Sequence, residues 1–92
     1  MFHRKTPRRS ELQVIADLLE ASVDPESPTK ILKMANAPPR GYKSLLEALV
    51  SKGLLRKVKS PQGNRSLYQT TQEGNDILQL IHRLRDALGE LW

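Results

Sequence analysis

The residues best equipped for chemistry in this sequence are basic, and they are concentrated at the N-terminus and in the middle of the chain. Residues 1–9 contain four Lys and Arg and no acid. Residues 27–71 contain nine Lys and Arg but one acid, Glu47, whereas the flanking stretches 10–26 and 72–92 are acidic on balance. Lysine and arginine bind phosphate oxygens, and arginine can also form two hydrogen bonds to the edge of a guanine. A fold that gathers these bases on one face would bind a polyanion there.

Groups suited to catalysis or metal binding are scarce. The two histidines, His3 and His82, lie far apart in the sequence, and there is no cysteine. A metal site needs clustered ligands, while a disulfide scaffold or a thiol nucleophile needs cysteine. The five glycines are isolated from one another, so no phosphate-cradling loop is present. We therefore expect neither an enzyme nor a bound metal or cofactor.

Composition indicates one small folded domain. The chain has 92 residues, of which 38% are hydrophobic and 27% charged, with a net charge of +5. These values are typical of a folded soluble chain with a small core. No apolar run approaches the ~20 residues that a membrane span needs, and the basic N-terminus has no apolar segment behind it. The expected location is cytoplasmic, with no membrane partner.

Helix 1 is predicted over about residues 11–22, where apolar residues recur at helical spacing. Ser10 and Gln13 match a capping box, in which each side chain accepts a hydrogen bond from the backbone N–H of the other residue. A second apolar stripe, which includes Val14 and Leu18, lies beside the first. Because a small surface helix needs only one such stripe, the second predicts an additional buried contact.

Two short helices separated by a tight break follow. Helix 2 is predicted over about residues 28–35, beginning at either Ser27 or Thr29. Helix 3 is predicted over about residues 39–52, opened by a proline and closed by Gly53. Two short helices joined in this way indicate a helix-turn-helix.

The next segment is predicted to be a β-hairpin. Residues 54–59 and 65–70 suit strands, and the turn formers at 60–64 separate them. A basic hairpin directly after a helix-turn-helix has the plan of a winged helix. The expected fold class is therefore mainly α with a small β-hairpin, and Tyr68 on the second strand is expected in the core.

A long helix is predicted from about residue 72 to the end of the sequence. It begins at Thr70 or Thr71, Thr70 with Glu73 would form a capping box, and Gly89 is a weak point near its end. Five apolar residues recur at alternating intervals of four and three, the pattern of a coiled-coil seam. They are Ile77, Ile81, Leu84, Leu88 and Leu91. The spacing predicts dimerisation through this helix.

Helix 3 and the hairpin hold the candidate DNA-binding residues. The second helix of a helix-turn-helix enters the major groove with its N-terminal residues leading. Here these are Arg40, Lys43 and Ser44, with Asn36 just before the helix, while Glu47 is expected at the groove edge or on a cytosine amino group. The hairpin and the basic N-terminus would contact backbone or minor groove. The candidates there are Arg56, Lys57, Lys59, Asn64 and Arg65, with Arg8 and Arg9.

Four local motifs carry a family resemblance. They are an Arg-rich start to helix 1, an Asn after helix 2, a Lys-Gly-Leu end to helix 3 and a Tyr-x-x-Thr-x-x-Gly entry to the last helix. In this sequence they are Arg8 and Arg9, Asn36, Lys52-Gly53-Leu54, and Tyr68, Thr71 and Gly74. Over about residues 8–88 the chain resembles the archaeal winged helix-turn-helix family, which includes small Sulfolobus DNA-binding proteins and related archaeal regulators. The last two motifs also occur in the PadR and MarR families.

The resemblance implies a homodimer on double-stranded DNA, joined by its C-terminal helices as an antiparallel coiled coil. Such a protein would be a transcription regulator or a nucleoid-associated, chromatin-type protein. It would consist of a basic arm at 1–9, a winged helix-turn-helix domain at 10–71 and a dimerisation helix at 72–92. Val14 and Leu18 could then pack against the partner chain.

Two other functions stay open. The winged helix could serve protein contacts in a transcription, replication or membrane-remodelling assembly. It could instead belong to a regulator of the PadR or MarR kind that responds to a small molecule.

One departure from the resemblance lies at Pro38-Pro39, where polar or aromatic residues are usual before helix 3. Side-chain contacts to DNA are lost at that point.

Overall fold

The computed structural model describes residues 10–92, and the predicted arm with Arg8 and Arg9 lies outside them. The described helices are α1 (Glu11–Ala21), α2 (Pro28–Met34), α3 (Pro39–Ser51) and α4 (Gln72–Leu88), followed by a 3-10 turn at Gly89–Leu91. The strands β1 (Leu55–Lys59) and β2 (Ser66–Thr70) lie between α3 and α4 and pair antiparallel. The predicted fold class, a winged helix-turn-helix with a long C-terminal helix, is confirmed. None of the described helices is both long and apolar enough to cross a bilayer.

Serine side chains begin the first two helices. The hydroxyl of Ser10 accepts a hydrogen bond of 3.0 Å from the backbone N–H of Gln13. That of Ser27 accepts one of 3.3 Å from the backbone N–H three residues on, so α2 begins at Ser27 and not at Thr29. The other half of the predicted capping box on α1 is not formed, because the Gln13 side chain instead accepts a bond of 3.0 Å from the Trp92 indole.

The start of α4 differs from one of the predictions. Thr71 is the cap, and its hydroxyl accepts a 3.0 Å hydrogen bond from the backbone N–H of Gly74. The predicted capping box of Thr70 with Glu73 is wrong. The Thr70 hydroxyl is used in tertiary structure, where it donates a 2.6 Å hydrogen bond to the carbonyl of Leu19 on α1.

Helices α2 and α3 end in the same hydrogen-bond pattern. The N–H groups of Asn36 and Ala37 bond back to α2 at 3.1 and 2.8 Å, and those of Gly53 and Leu54 bond back to α3 at 3.0 and 2.9 Å. This is the Schellman arrangement, which needs a left-handed residue directly after the helix. Asn36 has φ of 55° and Gly53 has φ of 79°. The left-handed backbone at these two positions therefore explains why asparagine and glycine occupy them.

The first turn of α3 is not regular helix. Arg40 has φ −67° and ψ 118°, and Gly41 has φ 94° and ψ −23°. These are the angles of a type II turn, whose second central position favours glycine. Regular helix therefore starts at Tyr42. Arg40 therefore lies in the turn that precedes the regular helix, and not in the first helical turn, where the predicted helix 3 over residues 39–52 would place it.

The core surrounds α1, which contacts α2, β2 and α4. Val14 and Leu18 expose 2% and 0% of their surface. The second apolar stripe of α1 is thus buried within the protomer by its own neighbouring elements. The prediction that these two residues pack against a partner chain is wrong, since they have no free surface to offer. Tyr68 is 6% exposed, so its predicted place in the core is confirmed.

The base of the hairpin is tied to the helical body through backbone hydrogen bonds. Glu26 and Tyr68 exchange two N–H···O bonds of 3.1 and 2.8 Å. The N–H of Thr70 donates to the carbonyl of Ser22 at 2.8 Å. Residues 61–66 beyond this base are exposed. The base of the hairpin is therefore fixed to the helical body, and its tip is solvated.

The Tyr-x-x-Thr-x-x-Gly motif has a structural explanation. Besides capping α4, Thr71 donates a hydrogen bond of 2.6 Å to the carbonyl of Gly53. Gly74 lies so close to the preceding loop that an added Cβ would lie 2.8 Å from the Thr70 methyl carbon and closer still to the Leu54 carbonyl oxygen. The glycine lets the first turn of α4 pack directly on the loop that follows α3.

We expect Gly74→Ala to destabilise the protein by about 1–3 kcal/mol, because the added methyl must displace backbone as well as a side chain. The measurement is the free energy of unfolding in urea. Gln79→Ala is the control, since Gln79 is exposed in the middle of the same helix and alanine favours helix. Equal stability of Gly74→Ala and the parent would show that α4 does not need this close approach.

Candidate nucleic-acid interface

Exposed basic side chains occur on α2, on the turn into α3 and on the hairpin. Within residues 10–92, five of them form neither an ion pair nor a side-chain hydrogen bond: Lys33, Arg40, Lys43, Lys59 and Arg65. These elements are neighbours in space, since α3 contacts both α2 and β1. The ionised acids of residues 10–26 and 72–92 are carried mainly by α1 and α4. The basic and acidic parts of the sequence therefore lie on different elements.

An open groove joins α2 to the second strand of the hairpin. It is lined by Ser27, Pro28, Thr29, Lys30, Lys33, Arg65 and Ser66. Lys30 is paired with Glu26 at 3.5 Å, which leaves Lys33 and Arg65 as the unpaired cations of the groove. Sequence reasoning missed Lys33. Its signal was the spacing of two lysines three residues apart on α2, which puts both on one helix face.

The predicted residues near the start of α3 are placed differently from one another. Lys43 and Ser44 are exposed in the first regular turn of the helix, as expected. Arg40 is exposed in the turn before it. Asn36 is exposed too, but its left-handed backbone ends α2. No described side chain caps the N–H groups at this end of α3.

The hairpin divides its basic residues between two faces. Side chains alternate along a strand, so Lys57 and Lys59 lie on the face that carries Tyr68 and meets α3. Arg56 lies on the other face and donates to the Gln69 amide oxygen with Nε at 3.2 Å and Nη2 at 2.7 Å. Asn64 and Arg65 are exposed in and beside the turn.

Lys57 is held by groups from α3 and β2. Its Nζ lies 3.4 Å from Oε1 of Glu47 and 5.8 Å from the ring centre of Tyr68. The Tyr68 hydroxyl donates a hydrogen bond to the other carboxylate oxygen of Glu47. Glu47 is therefore not placed as a free reader of bases, as the sequence led us to expect, because both of its oxygens are occupied within the protomer.

The same contacts shift two pKa values. Burial raises the pKa of Tyr68 to about 12, and the hydrogen bond to the Glu47 carboxylate acts in the same direction. The hydrogen bond from Tyr68 is the main cause that lowers the pKa of Glu47. Burial opposes it with a smaller effect, and Lys57 lowers the pKa further. Glu47 thus stays ionised at neutral pH and keeps its charge beside Lys57.

A second surface is apolar. On α4 the side chains of Leu80, Leu84 and Leu88 are 55%, 43% and 38% exposed, and Leu12 of α1 beside them is 41% exposed. Leu84 and Leu88 belong to the predicted seam. Ile81 is 5% exposed because it packs into the protomer core, so the exposed stripe runs through Leu80 instead.

Helices α2 and α3, the hairpin and the exposed cations together define a winged-helix protein. A family model described as winged helix-turn-helix matches residues 8–88, and the chain belongs to this family. A search of curated protein sequences gave no match.

Solved structures of several DNA-binding proteins and regulators are similar. Sso10a-2, a DNA-binding protein from Sulfolobus solfataricus, has a TM-score of 0.78 at 19% identity, over 90% of this chain and 85% of its own. The transcriptional regulator BldR from the same organism has a TM-score of 0.68 at 18% identity, over 86% of this chain. The repressor CouR from Rhodococcus jostii was solved on a 23-mer DNA duplex. Its TM-score is 0.64 at 24% identity, over 86% of this chain. This chain spans 58% of BldR and 59% of CouR.

Tyrosinate formation measures the environment of Tyr68. We expect the absorbance difference between the parent and Tyr68→Phe to titrate near pH 12, not near the ordinary value of 10. Because the folded-state pKa is the higher one, this residue's contribution to stability is complete below pH 10 and is lost as the pH rises through 12. The free energy of unfolding of the parent should therefore fall relative to Tyr68→Phe across that interval. A titration at the ordinary pKa would show that the ring is not buried.

Proposed function

We propose that the chain binds double-stranded DNA as a homodimer, as a transcriptional regulator or a chromatin-type protein. The observation that supports this best is the set of exposed, unpaired cations on α2, the α3 turn and the hairpin. These cations form no ion pair within residues 10–92, and phosphate contacts are an ordinary role for such a set. The similarity to Sso10a-2, a DNA-binding protein, and to CouR, a repressor solved on a DNA duplex, supports the same function.

In the proposed arrangement α3 lies in the major groove. Lys43 and Ser44 lead, and Arg40 reaches a guanine or a phosphate from the turn before the helix. The uncapped N–H groups at the start of α3 favour a phosphate there, because a helix N-terminus carries partial positive charge. Asn36 lies at the edge of this contact.

The hairpin and α2 would hold the backbone on either side. Lys59, Asn64 and Arg65 reach backbone or minor groove, with Arg8 and Arg9 of the arm as further contacts. Lys33 faces the same groove as Arg65, so one phosphate could bind between them. The first helix of a helix-turn-helix crosses the DNA backbone in just this way.

The apolar face of α4 is the proposed dimer interface. Leu80, Leu84 and Leu88 recur every four residues on one side of the helix, next to Leu12. Exposed leucines in a continuous stripe mark an interaction surface, and a second copy would cover both stripes at once. Leu91, which is 81% exposed in the turn after α4, is a further proposed contact, and Ile77 and Ile81 support the stripe from the core side.

A protein-interaction module is the second candidate function. The exposed leucine stripe would equally suit a partner of another kind. That function requires no phosphate contacts, so it predicts no salt-dependent binding to DNA.

We expect Arg40→Ala and Lys43→Ala each to weaken binding to a duplex, measured by fluorescence anisotropy at several salt concentrations. Each lost phosphate contact makes the negative slope of log K against log salt less steep by about 0.9. Arg83→Ala is the matched control, because Arg83 is exposed on α4 and forms no ion pair within residues 10–92. Salt-independent or absent binding by the parent would refute DNA binding. Equal affinity of all three variants would place the contact away from α3.

We expect Leu84→Glu to convert the dimer to a monomer of 10.4 kDa in light scattering, because a charge would be buried in the interface. Met34→Glu is the control, since Met34 is 55% exposed outside the stripe and should leave the mass unchanged. An equal mass for the parent and Leu84→Glu would show that the protomers do not associate through this face of α4.

A further inference from the structure

Glu47 is the only acid among residues 27–71, which hold nine Lys and Arg. An isolated acid in the middle of a basic surface weakens the attraction of that surface for phosphate. Glu47 is also four residues after Lys43 on α3, so the two side chains lie on the same face of the helix. The carboxylate thus lies on the side of α3 that carries the candidate DNA contacts.

The Glu47 carboxylate is fixed in place on that face. Tyr68, which is 6% exposed, donates its hydroxyl to one carboxylate oxygen, and the other oxygen lies 3.4 Å from Nζ of Lys57. The Lys57 ammonium also lies 5.8 Å from the centre of the Tyr68 ring. A buried tyrosine therefore holds the carboxylate in position to pair with the lysine.

Lys57 differs in this respect from its neighbours on the hairpin. Lys59 and Arg65 form no ion pair with any residue from 10 to 92, whereas Lys57 has an acid at contact distance. The side chains of Lys57 and Glu47 remain 49% and 54% exposed, so the pair is reachable by solvent and by a ligand. An exposed pair of this kind is weak and can exchange partners.

We propose that Glu47 is a specificity-determining residue that withholds Lys57 from DNA phosphates and so limits sequence-independent binding. This inference rests on the proposed DNA-binding function. In the free protein Lys57 is neutralised by Glu47 and adds no counterion release when the surface meets a duplex. Only a site whose backbone draws Lys57 away from the carboxylate would gain the extra phosphate contact. Discrimination between duplexes would then come partly from a residue that opposes binding.

Glu47→Gln is the variant that tests this, because glutamine can still accept the Tyr68 hydrogen bond but no longer neutralises Lys57. We expect tighter binding to a random-sequence duplex and a slope of log K against log salt that is steeper by about 0.9. Such a slope corresponds to about a threefold larger loss of affinity between roughly 50 and 200 mM salt. Structural damage would weaken binding, so a gain separates the two explanations.

The Lys57→Ala change in both backgrounds identifies the cause of the gain. If Glu47 withholds Lys57, Lys57→Ala has little effect in the parent and abolishes the gain in the Glu47→Gln background. A gain that persists in Glu47→Gln/Lys57→Ala would come from the loss of one negative charge in general, and it would overturn the inference. Glu90→Gln is the matched control, because it removes an exposed acid after α4 that forms no ion pair within residues 10–92, and it should bind like the parent.

The result also separates this inference from the proposed function. If the parent binds DNA with a salt-dependent affinity and Glu47→Gln binds no more tightly, the inference fails and DNA binding stands. If neither the parent nor Glu47→Gln shows salt-dependent binding to DNA, the proposed function fails and the inference falls with it. Unfolding midpoints of all variants show that each comparison is made between folded proteins.

Discussion

The buried side chain of Tyr68 is the interaction on which the geometry of the candidate surface depends. Its ring packs in the core, its hydroxyl bonds to Glu47 on α3, and its backbone pairs with Glu26 before α2. One residue of β2 therefore fixes the hairpin to both helices of the helix-turn-helix. Because these elements are held together before any ligand binds, their cations need little rearrangement to meet a phosphate backbone, and a preorganised surface loses less free energy on binding.

Most of the fold follows from local signals in the sequence. Ser10 and Ser27 cap their helices, Gly53 ends α3, and turn formers at 60–64 separate two strand-length runs. Each of these signals acts within a few residues, so no knowledge of the tertiary structure is needed to interpret it. The wrong predictions arise where a tertiary contact takes a side chain that would otherwise serve a local role. Thr70 is a good helix cap by type, but its hydroxyl is bonded to α1 in the folded chain.

The candidate site was predictable in its residue types and less so in its pairings. Basic residues of α3 and the hairpin stand out in the sequence, whereas the partnership of Glu47 with Tyr68 joins residues that are 21 positions apart. Likewise, only the folded structure shows that the second apolar stripe of α1, with Leu18, is buried inside the protomer. The turn at Arg40-Gly41 was also missed, because a proline start and a good apolar pattern masked two non-helical residues.

We propose that α2, the start of α3 and the hairpin act as one preorganised cationic surface, and that α4 provides the contact between protomers. Amide chemical shifts recorded while a short duplex is added test this claim most directly. The account predicts that the amides that shift most lie at the start of α3, in the hairpin and on α2, while the exposed face of α4 changes little. Shifts confined to α1 and α4, or no shifts at all, would contradict it.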